Sequence, residues 1–168
     1  MKNLILLTFV IVFFGSCQNK YFEKDLPKLM NVENIEIVNV QTLDEWGGSQ
    51  GDGFILEVYE LSQHTVDSFI KRTYKKLPEK ENRESWFKYD WSKVPIDTSY
   101  IEIQTMTLNY SASNEKLNKI LNEIKTVLNK KETYNAFYYK PNKENPNNVE
   151  MFVLDTETNK FYAIDQQL

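Results

Sequence analysis

The chain has 168 residues, 41% of them apolar, which suits a single domain with one ordinary core. Its formal charge is −4, both signs are spread along the chain, and lysine outnumbers arginine 18 to 2. Without a basic stripe nucleic acid is excluded as a partner, and scarce arginine argues against bidentate phosphate recognition.

The N-terminus reads MKNLILLTFVIVFFGSC. Lys2 precedes an apolar run over residues 4–14, broken only by Thr8, and small Gly15 and Ser16 stand before Cys17. This is the layout of a secretory signal peptide, with an apolar run too short to span a bilayer, which takes about 20 residues. Phe14-Gly15-Ser16-Cys17 resembles the lipobox of bacterial lipoproteins, although Phe14 stands where that family usually has leucine. The resemblance covers residues 1–17 and implies that Cys17 is acylated and becomes the first mature residue. It also removes the oddity of a single thiol in an exported chain. Acyl chains contribute about 0.8 kcal/mol per buried methylene, so several of them hold a protein stably on a membrane. The expected location is therefore a bacterial membrane, at the outer membrane or elsewhere in the cell envelope.

Residues 1–16 are read as signal peptide, 17–34 as the lipidated N-terminus and a tether, and 35–168 as one domain. The tether assignment rests on the lack of periodicity in QNKYFEKDLPKLMNVEN and on Pro27 within it. The mature chain carries 19 bases against 24 acids. Such a mildly acidic body on a tether is expected to stand off an anionic leaflet.

Along the domain, IEIVNVQTL (35–43) is β-branched and short, and reads as a strand. Four of the five glycines then fall in EWGGSQGDG (45–53), ahead of a second strand, FILEVYEL (54–61). Val66, Phe69, Ile70, Thr73, Tyr74 and Leu77 recur at helical spacing, with Ser62 as N-cap and Pro78 as stop. PEKENRE (78–84) is a solvated loop. SWFKYDW (85–91) alternates aromatic residues, and YIEIQTMTLNY (100–110) reads as a long strand. Leu117, Ile120, Leu121, Ile124, Val127 and Leu128 mark the clearest amphipathic helix. Strands at 134–140, 149–155 and 160–165 close the chain, the last two joined by TETN with Asn159 suited to the left-handed conformation. The expected fold is α+β, a largely antiparallel sheet of about six or seven strands with two helices packed on one face.

Several chemistries fail on residue type or order. A phosphate loop needs glycines running into a helix N-terminus, whereas these run into a strand, and Leu56 occupies the place of a third glycine. They read as a turn or bulge, or else as a recognition loop displaying Trp46 and Asp52. One histidine and a cysteine committed to lipid rule out the usual zinc sites and a cysteine–histidine nucleophile. His64 lies in a predicted first turn with no nucleophile elbow nearby, and is expected to be exposed and dispensable. DTETN (155–159) has calcium-loop oxygens, but Lys160 and Gln166 replace the required glycine and glutamate. No metal, cofactor or catalytic residue is expected. Paired carboxylates remain open, since 24 acids can meet in space and nothing in the sequence selects a pair.

Aromatic residues carry the remaining signal. Trp86 and Trp91 have opposite strand parity, so both face one core only if the strand bends between them. Trp46, Asp52, Trp86, Tyr89 and Trp91 are the candidate partner-binding residues, because tryptophan and tyrosine anchor protein interfaces and stack on sugars. GDGFILEVYELS and FVLDTETNKFYAID are similar to segments of small exported bacterial proteins without assigned function, some suspected of neutralising toxins. The expected function is a membrane-anchored, non-catalytic binding module for a protein or glycan partner. The alternatives are a carboxylate-dependent cell-envelope hydrolase and an envelope assembly or structural subunit. A deep polar cleft holding two carboxylates favours the hydrolase; an exposed aromatic patch on a shallow face favours binding or assembly.

Overall fold

The computed structural model describes residues 20–45, 53–80, 85–110, 114–141 and 148–167. Six strands form one open antiparallel sheet in the order β1-β2-β6-β5-β4-β3. They are β1 (Ile37–Asp44), β2 (Gly53–Leu61), β3 (Phe87–Lys93), β4 (Thr133–Lys140), β5 (Asn148–Asp155) and β6 (Lys160–Gln167). Strand β6 sits between β2 and β5, so it joins the β1–β2 pair to the β5-β4-β3 part of the sheet.

The helices are α1 (Leu26–Met30), α2 (Gln63–Ile70), α3 (Ile101–Leu108) and α4 (Glu115–Val127). The α+β class and the antiparallel sheet are those expected, but the helices cover both faces of the sheet. On face one, α1 and α2 pack Leu26, Leu29, Met30, Val66 and Phe69 against Tyr59, Phe152, Phe161 and Ala163. On face two, α3 and α4 pack Ile103, Leu117, Ile120, Leu121 and Ile124 against Met151, Val153, Tyr162 and Ile164. The consecutive apolar residues at 151–154 and 161–164 follow from this, since a strand buried on both sides has no polar face.

Three further expectations change. Residues 20–34 are not a tether: Phe22, Leu26, Leu29, Met30 and Val32 are buried on face one. Pro27 opens α1 instead of breaking it, since the first turn has no intrahelical use for the missing N–H. The stretch 100–110 is not a strand; a 3-10 turn at Thr98–Tyr100 leads into α3. Asp97 accepts from Ser99 N at 2.9 Å, starting the turn, and burial of Ile103, Thr107 and Leu108 outweighs the β-branched preference. The helix begun by Ser62 stops at Ile70; Leu77 is buried nonetheless, while Tyr74 is exposed.

Ser62 accepts from Thr65 N at 3.2 Å and Asn114 from Lys116 N at 3.0 Å, so α2 and α4 start at side-chain caps. The glycine-rich stretch joins antiparallel strands, with Asp44 opposite Ile55 and Glu45 N bonded to Phe54 O at 2.9 Å. Asn159 has φ 57° in the β5–β6 hairpin.

Candidate functional site

Two places on the sheet carry unusual side-chain arrangements, one on each face. On face one, alternation along the central strands points Glu57, Glu150 and Asp165 the same way. Asp165 lies opposite both Ile55 and Glu150, two residues along β2 from Glu57. All three are buried, with Glu57 at 0% exposure.

The Glu57 carboxylate is committed to the chain that crosses it. Oε1 accepts from Tyr21 N at 2.7 Å and Thr42 Oγ1 at 3.3 Å, while Oε2 accepts from Phe22 N at 2.9 Å and from the Tyr59 hydroxyl. Burial, and then the Glu57 hydrogen bond, push the Tyr59 hydroxyl far above its ordinary value, so it stays a donor. Glu150 is paired with Lys80. Burial, and next the Glu150 charge, push the Asp165 carboxyl above the usual carboxylate range, although Gln167, Tyr21 and Lys80 oppose the shift.

Beside this cluster lies a cleft of about 520 Å³, lined by Tyr21, Phe22, Asp25, Lys28, Lys80, Tyr138 and Glu150 among others. Pro78, Glu79 and Lys80 form one wall, and Leu77 before them is in the core. The segment is held by Leu77 N on Asp90 Oδ1 at 2.9 Å, Lys88 Nζ on Leu77 O at 3.1 Å and the Tyr138 hydroxyl on Pro78 O at 2.6 Å. Lys80 lies over the Tyr138 ring, 4.5 Å from its centroid, and over Trp86 at 5.6 Å.

On face two, β3 and β4 carry an aromatic ladder. Phe87 is opposite Tyr139 and Tyr89 opposite Phe137, with stacked rings 5.6 and 5.0 Å apart. Tyr100, at the start of α3, packs across them at 4.8 Å from Tyr89 and 5.6 Å from Phe137. Phe87 is 55% exposed and the adjoining Ile101 49% exposed; Tyr89, Tyr100 and Tyr139 are half-buried. Burial, then the Tyr100 charge, raise the Tyr139 hydroxyl, which therefore stays neutral.

The candidate residues of the sequence reading divide. Trp91 is a core residue at 7% exposure, its indole Nε1 donating to Leu29 O at 2.8 Å, and it offers no surface to a partner. Trp86 is half-buried against the same core. A one-residue bulge between Tyr89 and Ser92 reverses the parity of β3, so both tryptophans face one side. Among the described candidates, Tyr89 is the one that joins the open ladder. Cys17, Trp46 and Asp52 lie outside the described residues. His64 is exposed in the first turn of α2, as expected. Asp155 accepts from Lys130 Nζ at 3.0 Å, Thr158 Oγ1 at 2.9 Å and Glu157 N at 3.0 Å, a hairpin network rather than a cation loop. Among the described residues no group of three or more His, Cys, Asp or Glu is arranged to hold a metal ion.

Sequence reasoning missed the carboxylate cluster and the contribution of Tyr100. The acids were findable: Glu57, Glu150 and Asp165 interrupt apolar strands at positions whose neighbours are core. Tyr100 was hidden by the assignment of its segment to a strand. No family profile, curated protein or solved structure matches this chain.

Proposed function

We propose that this is an exported lipoprotein, anchored through acylated Cys17, that acts without catalysis as a binding module at the cell envelope. The half-open aromatic ladder Phe87–Tyr139 and Tyr89–Phe137, crossed by Tyr100 and flanked by Ile101, carries the reading. Rings locked by stacking present apolar area at little further entropic cost, which is how interface anchors and sugar platforms work. The partner is a protein or a glycan of the envelope.

The test is a photo-crosslinking residue placed at Phe87 in cells that make the acylated protein, with His64 as the exposed control on face one. A partner trapped at position 87 and not at 64, and lost in Ile101→Ala, is the expected result. Equal trapping at both positions removes the ladder from the reading.

The cleft supports a second reading, a carboxylate-dependent hydrolase working through Glu150. Against it, the Glu150 carboxylate is held in an ion pair with Lys80, and Asp165 and Glu57 are sealed beneath the chain. Glu150→Gln in a stable, correctly localised protein is expected to keep function; its loss would favour the hydrolase.

A further inference from the structure

We infer that the lipid anchor holds the body directly on the bilayer through face one, with α1 and its lysines against anionic headgroups. The inference rests on acylation at Cys17. Tyr21 N and Phe22 N are bonded to the buried Glu57 carboxylate at 2.7 and 2.9 Å, and the Phe22 ring is buried edge-on against Phe152. The chain is therefore fixed to the sheet from Tyr21 onward, leaving Gln18, Asn19 and Lys20 between the anchor and the fold.

Four Cα steps from Cys17 to Tyr21 reach at most about 14 Å when fully extended. The radius of gyration expected for a body of this length is about 15 Å. A leash shorter than the body's own radius cannot let it rotate freely above the surface. The face from which the leash emerges has to lie toward the bilayer.

The charge on that face suits the arrangement. Residues 18–30 carry three lysines against two acids, whereas residues 31–168 carry 16 bases against 22 acids. Lys24 and Lys28 are exposed there, as is Lys20, which pairs with Glu23 at 2.6 Å, and the Tyr21 ring is partly open with its side chain hydrogen-bonded to Asp165. Lys71, Arg72 and Lys76, exposed just after α2, add bases beyond that face-one helix, and the ladder on face two is turned outward. A body read as standing off an anionic leaflet is instead seated by the lysines around the segment that the leash enters.

The acylated full-length protein, reconstituted in vesicles of phosphatidylethanolamine and phosphatidylglycerol, tests this. A fluorophore is attached at Lys24→Cys on face one or at Lys119→Cys on the outer side of α4, with a quencher on the lipid headgroups. The acylated Cys17 is blocked to the label. Quenching several-fold stronger at position 24 than at 119 is expected, and inserting a flexible glycine–serine segment between Asn19 and Lys20 should remove the difference. Equal quenching at both positions in acylated protein overturns the seated orientation while leaving the anchor intact. A mass spectrum without acyl chains overturns the anchor and this inference together.

Discussion

Glu57 shows how a buried carboxylate can be retained for holding the chain. It lies in a strand that otherwise reads as core, and it accepts from two consecutive backbone amides and two hydroxyls. Glutamine keeps the shape but replaces one acceptor oxygen with a donor that faces a backbone N–H. Glu57→Gln should therefore cost about 1.5–3 kcal/mol, the range for hydrogen bonds to a charged group. Hydrogen exchange is expected to show Tyr21 and Phe22 amides losing protection before the rest of the sheet; unchanged protection would mean the segment is held by Phe22 packing alone. Asp165 acts in the opposite sense. Its folded-state carboxyl is raised by burial and by Glu150, so the folded protein keeps a proton that the unfolded chain has released. That contribution is present below the unfolded value of about 3.9 and is lost as pH rises through the raised folded value. Asp165→Asn should accordingly be more stable than the parent at neutral pH, with the gap closing near pH 4. A gap of the same size at both pH values would trace the gain to packing.

At the scale of elements, α4 is the plainest case of a helix specified by its own residues. Asn114 caps it, Leu117, Ile120, Leu121, Ile124 and Val127 form one stripe, and that stripe is buried on face two. Leu121→Ala should cost about 2–5 kcal/mol in urea unfolding. A loss under about 0.5 kcal/mol, typical of surface sites, would put the stripe at an interface instead. The six strands were legible from β-branched and aromatic runs, and the hairpins from their turn residues. α3 was not, because IEIQTMTL alternates like a strand, and only its packing against the sheet makes it a helix. Placement of the helices was misjudged for a related reason. Apolar neighbours such as Phe152–Val153 and Phe161–Tyr162 already require cover on two faces, but pattern alone does not say which helix supplies it. The ladder was half legible: Phe87, Tyr89 and Tyr139 stand out in sequence, while Tyr100 joins them only through the turn that precedes α3.

For the molecule as a whole, the open sheet leaves two edges, and each edge strand carries one extra residue. On β3 the extra residue lies between Tyr89 and Ser92 and brings Trp86 and Trp91 to face one. On β1 it lies between Ile37 and Asn39, which pair with the consecutive residues Leu61 and Glu60. Val38 is thus unpaired with β2 and 70% exposed, while Ile37 and Val40 both reach the face-one core. A bulge on an edge interrupts the row of free backbone groups that another strand would use, so the same device aims side chains inward and discourages edge-to-edge pairing. Deleting Val38 separates the two roles. The register shows that Ile37 and Asn39 would then become consecutive opposite Leu61 and Glu60, with inward and outward faces preserved. The deleted chain should fold with near-parental stability but present a straighter edge of eight-residue scale less one. Sedimentation velocity is expected to show its apparent mass rising with concentration, under conditions where the parent stays at constant mass. If the deletion variant folds and its mass also stays constant, the exposed polar side chains of β1, and not its bulge, are what keep that edge unpaired.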